Sequence, residues 1–110
     1  MAKITLIDLL TKREYLVPLK ETAFVGRSRI NDVCVPQSNA SMDVSRVHCV
    51  ICQDSENLGI PLYIMDYDSA YGTYVNETKL QKEECMNLFD GDKITLGNYE
   101  LRVKIEVAEK

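Results

Sequence analysis

A chain of 110 residues has the length of one ordinary domain and room for a single core. With 45% hydrophobic and 27% charged residues it has a globular balance, which excludes the low-hydrophobicity, high-charge signature of disorder. A formal net charge of -4 argues against capture of nucleic acid or an anionic membrane, both of which need a cationic surface, so any anion site must be local.

In chain order, short segments rich in Ile, Val, Leu, Tyr and Thr alternate with Gly, Pro, Asn and Asp clusters, and no long helical period appears. The pattern predicts strands over Ile4–Leu9, Tyr15–Leu19, Ala23–Val25, Asp32–Val35, Val47–Cys52, Leu62–Met65, Thr73–Val75, Lys79–Leu80, Lys93–Leu96 and Glu100–Glu106. Turn signals fall at Asn31-Asp32, Pro36–Ser41, Asn57–Pro61, Asp90–Asp92 and Gly97-Asn98, where Gly and Asn tolerate positive φ and Asp closes Asx turns. The polar stretch Gln37–Asp43 and the segment Glu77–Asn87 are the least defined, and Gln81–Cys85 suits one helical turn. So many short strands in one domain must close on themselves, because a single open sheet would leave an apolar face in water; the fold expected is an all-β sandwich.

There is no repeat, linker or low-complexity tract, which predicts one domain over 1–110, cut close to its edges from a longer multidomain protein. No apolar run approaches the roughly 18 residues of a spanning helix, and Met1–Leu10 lacks the sections of a signal peptide, so a soluble, intracellular protein is expected.

Of the four cysteines, Cys49 and Cys52 form a C-x-x-C beside the single histidine, His48, a spacing that can serve zinc or redox chemistry. The segment is β-branched and apolar, however, and strand positions three apart face opposite ways, so the two thiols cannot share a metal. Cys34, Cys49, Cys52 and Cys85 are therefore expected as buried or partly buried reduced thiols acting as small hydrophobes, with no metal and no cofactor.

Three clusters combine small turn residues with hydrogen-bonding groups at strand ends: Gly26-Arg27, Ser45-Arg46-Val47-His48, and Asp66 through Asn76. Loops gathered at one end of a sandwich can build a binding surface, and an Arg fork with a Ser hydroxyl supplies the donors that a dianionic phosphate requires. Catalysis is not expected: there is no Ser-His-Asp order, no paired-carboxylate spacing and no Walker-type loop, and Asp66 and Asp68 read as turn formers.

At these residues the sequence resembles the forkhead-associated (FHA) family, whose pattern is Gly-Arg, then Ser-x-x-His, then Asp-x-x-Ser-x-Asn-Gly-Thr-x-x-Asn, then Gly-Asp before a late strand. Here these stand as Gly26-Arg27, Ser45–His48, Asp66–Asn76 and Gly91-Asp92, covering Phe24 to Leu101. The resemblance implies an FHA-type sandwich of two twisted, mainly antiparallel sheets, about ten to eleven short strands, with binding loops at one end. It further implies a phosphothreonine-containing protein segment as partner, with Arg27 and Ser45 on the phosphate and Ala70 and Tyr71 at the peptide; Arg29 and Arg46 add charge nearby, with Arg46 a candidate peptide contact. Gly26, His48, Gly72, Thr73 and Asn76 would support the site, His48 by bracing the Ser45 loop and Asn76 by pinning a turn. Threonine selectivity, a nuclear location and a homodimer as an alternative or additional arrangement are implied in the same way.

Two positions depart from the family pattern. Tyr71 stands where the usual Asn amide grips the peptide backbone, offering one hydroxyl and a large ring instead. Ala70 stands where many relatives carry Ser or Thr, which leaves only its backbone amide for the phosphate. The Tyr-Gly-Thr stretch, continuing to Lys79, resembles the FHA domains of nibrin-type DNA-damage adaptors, so the departures are compatible with phosphopeptide binding. For Tyr71 two placements are open, packing against the end of the sandwich or standing as an exposed platform.

Overall fold

In the segment Glu14–Val17, Tyr15 and Val17 are buried while Glu14 and Leu16 face solvent, the period of two that a strand on a core requires. The same alternation runs along Glu100–Lys104, with Leu101 and Val103 inward and the three charged residues outward. The computed structural model, which describes residues 2–54, 56 and 61–107, organises such segments into eleven strands among the described residues. They are β1 (Ala2–Asp8), β2 (Glu14–Val17), β3 (Thr22–Gly26), β4 (Val33–Cys34), β5 (Cys49–Gln53), β6 (Leu62–Asp66), β7 (Thr73–Val75), β8 (Thr78–Lys79), β9 (Cys85–Leu88), β10 (Lys93–Leu96) and β11 (Tyr99–Val107).

Two sheets result, one in the order β2-β1-β11-β10-β7-β8 and the other β4-β3-β5-β6-β9. Their pairings are antiparallel except β3 with β4. Ile4, Leu6, Ile94, Leu96 and Leu101 of the first sheet meet Val25, Ile51, Leu62 and Ile64 of the second in one continuous core. This is the all-β sandwich that the alternation demanded.

Local details differ from the sequence reading. The helical turn expected over Gln81–Cys85 does not form: the Glu84 amide donates to Gln81 O at 3.1 Å, Glu83 takes φ of 65°, and the chain enters β9 along β6. The signal for β9 is faint because, of its four residues, only Leu88 is fully buried and none is β-branched. Within Gln37–Asp43, Asn39–Ser41 forms a 3-10 turn held by Ser41, whose buried hydroxyl donates to Pro36 O at 2.7 Å. The turn expected at Asn57–Pro61 lies, apart from Pro61, outside the described residues.

Cys49 sits in the core, where burial pushes its thiol far up, whereas Cys52 lies half-buried on the opposite face near Cys85. All four thiols are free, but Cys34 and Cys85, on the edge strands β4 and β9, are exposed and not buried as expected. The loop Asn76-Glu77 joins β7 to β8 with φ of 48° and 73°, the two consecutive positive values of a type I′ hairpin turn.

Across β11, β1 and β2 of the first sheet, Tyr99 donates its hydroxyl to Asp8 Oδ2 at 2.6 Å and lies 3.0 Å from the hydroxyl of Tyr15, while Asp8 Oδ1 accepts from the Leu10 amide at 2.8 Å and the Thr11 amide at 3.2 Å. Burial alone would raise the Asp8 carboxyl, but the Tyr99 hydroxyl and the Leu10 and Thr11 amides outweigh it and hold the group below its usual range. Tyr99→Phe leaves that carboxylate short of one donor and is expected to cost about 1–3 kcal/mol, read as a lower denaturant midpoint at unchanged slope.

Candidate functional site

Gly26 ends β3 where a side chain cannot fit: a Cβ there would lie 2.2 Å from Arg46 O and 2.9 Å from Val47 Cα. This close approach lets the next two amides cross to the neighbouring loop, Arg27 N–H to Ser45 O at 3.1 Å and Ser28 N–H to Arg46 O at 3.0 Å. Gly26→Ala pushes backbone against backbone, and overpacking of this kind costs about 1–3 kcal/mol or more. A drop in melting temperature of at least several degrees is expected; a neutral substitution would mean that the two loops are not held together this tightly.

His48 is fully buried, and both ring nitrogens are engaged. Nδ1 accepts the Ser45 amide at 3.0 Å, which places the ring proton on Nε2, where it donates to Gly72 O at 2.8 Å. Burial is the main cause that holds its pKa below the usual value, outweighing the Gly72 carbonyl and the Asp66 charge. Neutral His48 thus bolts the Ser45 loop to the loop between β6 and β7. Gly72 O also accepts from Gly97 N at 3.0 Å, and Gly97, with φ of 67°, leaves no room for a Cβ against Asp43. The β10–β11 turn is drawn into the same cluster.

The loop after β6 is tied around Asp66, whose Oδ1 accepts from Ser69 Oγ at 2.6 Å and Thr73 Oγ1 at 2.5 Å and whose Oδ2 accepts from the Ser69 amide at 3.1 Å. Ser69 Oγ in turn accepts from Gly72 N at 2.9 Å, and Gly72 takes φ of 94°, a conformation open to glycine. Burial raises the Asp66 carboxyl, but the bonds from Ser69 and Thr73 prevail and lower it. Below the loop, Asn76 donates to Asp92 Oδ1 at 2.9 Å and accepts from Lys93 N at 3.0 Å, fastening the β7–β8 turn to β10.

This framework brings the expected ligands together. The half-buried Arg27 side chain is anchored through Nε to Val44 O, which leaves the two terminal nitrogens of its fork without a partner among the described residues. Ser45 Oγ accepts from the Ala70 amide at 3.0 Å, so its own proton is available to donate. The Ala70 amide, expected at the phosphate, is thus engaged in orienting Ser45. The side chains of Arg46 and Tyr71 lie outside this hydrogen-bonded group and are exposed, Tyr71 at 59%, so Tyr71 does not pack into the end of the sandwich. Arg27, Arg29 and Arg46 stand at this end of a net acidic chain, and among the described residues none of them pairs with a carboxylate. Such donors suit a small, highly charged anion.

A family model described as the FHA domain matches residues 23–97. The chain belongs to the FHA domain family. Nibrin of Rattus norvegicus is 32% identical to this FHA domain over 98 residues, and nibrin of Gallus gallus is 31% identical over the same length; each match covers 89% of this chain and 12% of the relative. The chain therefore spans about an eighth of the curated relatives it matches.

Among solved structures, one studied for phosphothreonine-dependent FHA domain interactions superposes with a TM-score of 0.78 at 29% identity, covering 96% of this chain and 99% of that one. The FHA domain of an Arabidopsis thaliana hypothetical protein gives 0.79 at 26%, covering 100% and 91%. Mycobacterium tuberculosis EmbR, in complex with a low-affinity phosphopeptide, gives 0.78 at 25%, covering 100% of this chain and 26% of that one.

Asp66, read as a turn former, is the knot of its loop. Two contributors escaped the sequence reading. Val44 acts through a carbonyl, which no side-chain pattern reveals. Asn31, read only as a turn residue, donates through its side chain to the carbonyls of Ser28 and Arg46, the neighbours of Arg27 and Ser45.

Proposed function

We propose that this FHA domain binds a phosphothreonine-containing segment of a partner protein, with the Arg27 fork and the Ser45 hydroxyl as phosphate ligands. One observation carries the reading: Arg27 and Ser45 are hydrogen-bonded neighbours across two loops, each side chain is fixed by one bond, and each keeps donors for an anion. Arg46 adds charge, and the Tyr71 hydroxyl and ring replace the amide grip on the peptide backbone. His48, Gly26, Gly72, Thr73 and Asn76 act by holding the loops in place. Support comes from solved relatives at 25–29% identity, one studied for phosphothreonine-dependent interactions and one complexed with a phosphopeptide.

The domain is a recruitment module that performs no catalysis and needs no metal or cofactor, and its threonine specificity follows the family. The likeness to nibrin supports a place in nuclear DNA-damage signalling, where a kinase's mark creates the docking site.

The test is a degenerate phosphothreonine peptide array probed with the purified domain. Binding of phosphorylated peptides and silence of their unphosphorylated counterparts is the expected result; equal binding of both would overturn the reading.

A further inference from the structure

The two outer faces of the sandwich differ in chemistry. On the six-stranded sheet, outward positions carry Lys3, Glu14, Glu100, Arg102, Lys104 and Glu106, the polar surface that a solvent-facing antiparallel sheet presents. On the five-stranded sheet, the cross-strand register sets Phe24, Val50, Met65 and Cys85 in one row and Thr22, Cys52, Tyr63 and Asn87 in the next. The intervening Ala23, Ile51 and Ile64 fill the core and Met86 packs against it, so both rows point outward. Neither row holds a charged residue.

The rows form one apolar surface. Val50 is 3% exposed although it points away from the core, flanked by Phe24 and Met65. Met65 Sδ lies 3.9 Å from Cys85 Sγ, and Tyr67, 53% exposed, carries the face past Met65 by meeting Phe24 edge to face at 5.4 Å. Phe24, Cys52, Tyr63 and Met65 are only half-buried and Cys85 is exposed, so water reaches this surface in the free domain. A contiguous apolar patch of this kind marks a contact surface.

Its size selects the occupant. Four strands about 4.8 Å apart span about 14 Å, Tyr63 to Tyr67 span about 13 Å, and with side-chain overhang the patch covers on the order of 300–400 Å². A stable contact between two folded domains, or two copies of this chain, takes about 800 Å² from each, which this face does not supply. A single α-helix, about 10–12 Å thick and rising about 1.5 Å per residue, covers it with about three turns.

The border sets the sign of the partner. The turns that flank β5, β6 and β9 hold Asp54, Asp68, Glu83 and Glu84, none of them in an ion pair among the described residues, and Lys82 is the only basic residue of those turns. Beside β3, Lys20 is taken up by Asp32 at 2.8 Å, and Arg27, Arg29 and Arg46 belong to the phosphate corner. An acidic border favours a partner that brings Lys and Arg.

We propose that the outer face of the five-stranded sheet docks an amphipathic α-helix of a partner protein. Its apolar stripe, at i, i+3, i+4, i+7 spacing, lies over Phe24, Tyr63, Met65 and Cys85, and its flanking Lys or Arg side chains meet the acidic turns. This contact requires no phosphate and does not rest on the phosphothreonine reading.

The probe is a set of synthetic peptides of about 18 residues, long enough for an isolated helix, each with a Leu, Ile, Phe or Met stripe at that spacing and Lys or Arg beside it. Control peptides scramble the stripe or carry Glu in place of Lys and Arg. Fluorescence anisotropy reads binding to the wild type, Met65→Lys and Cys85→Lys. Stripe peptides are expected to bind the wild type, more weakly as salt rises, and each variant should weaken them by at least about tenfold. Nuclear magnetic resonance shifts should fall on Cys52, Tyr63 and Met65. Any phosphothreonine peptide found on the array should bind both variants as it binds the wild type. Cys85→Lys alters an exposed residue of an edge strand, where Lys is common, and keeps the test valid if Met65→Lys fails to fold.

Absence of binding by every stripe peptide, equal binding of the control peptides, or binding that both variants leave unchanged would overturn the proposal. Competition by a phosphothreonine peptide would move the helix to the loop end, and a dimer of the free domain that Cys85→Lys dissociates would give the face to a second copy; either result contradicts it.

Discussion

Arg27→Ala is expected to lower phosphothreonine-peptide affinity by at least about 100-fold. The two terminal nitrogens of the fork have no partner among the described residues, and hydrogen bonds to a charged group contribute about 1.5–3 kcal/mol each. Two of them lost exceed about 3 kcal/mol, and each 1.4 kcal/mol is about tenfold in affinity. The same substitution removes the Nε bond to Val44 O, a loss of about 1 kcal/mol that lowers the melting temperature by only a few degrees. The two effects therefore separate: binding collapses while the fold persists. Arg27→Lys restores the charge but not the planar fork and should recover only part of the affinity. Calorimetric titration of the three proteins with one array-selected phosphopeptide reads all of these outcomes, and an Arg27→Ala protein that binds like the wild type would remove the guanidinium from the phosphate site.

His48→Ala has the other large effect, this time on the fold. It empties a fully buried position and leaves the Ser45 amide without its acceptor and Gly72 O with only the Gly97 amide. Cavity and unmet polar groups together give about 2–5 kcal/mol, a large share of a marginal stability, and the Ser45 loop loses its bolt to the β6–β7 loop.

The pH dependence follows from the same bonds. The folded-state pKa of His48 is depressed, so the unfolded chain takes up the proton first as pH falls. The His48 contribution is present in full above the unfolded value of about 6.5 and declines as pH drops below it toward the folded value. Asp8 and Asp66, also depressed, weaken the fold only below the usual carboxylate value of about 4. Denaturant midpoints should therefore be level between about pH 6.5 and about pH 8, below the ordinary cysteine value at which the thiol of unfolded Cys49 ionises, and slope downward below about pH 6.5, and a destabilised but folded His48→Ala protein should lack that acid-side slope. A wild-type profile that stays level down to the carboxylate range would contradict a neutral, buried His48.

The sandwich was legible because alternation is a direct trace of burial, as in Glu14–Val17 and Glu100–Lys104. The order Gly26-Arg27, Ser45, His48, Gly72-Thr73 was legible because each residue does something that few others can: approach a backbone, form a fork, or accept and donate from one ring. The strand β9 was not, since edge strands with half-exposed residues carry little pattern. Nor was the role of the Ala70 amide, which donates to Ser45 Oγ through backbone geometry that the side-chain sequence does not encode. Asn31 escaped for a related reason. In sequence it is one of many turn asparagines, and only the meeting of the Ser28 and Arg46 carbonyls at its nitrogen distinguishes it.

The central claim is that Arg27 and Ser45 form a phosphate site, and the most direct measurement is the affinity of the wild-type domain for one array-selected peptide in its phosphothreonine and unmodified threonine forms. Binding of the phosphorylated form with no saturable binding of the other is the result expected from these two ligands. Equal affinity for both forms would contradict it.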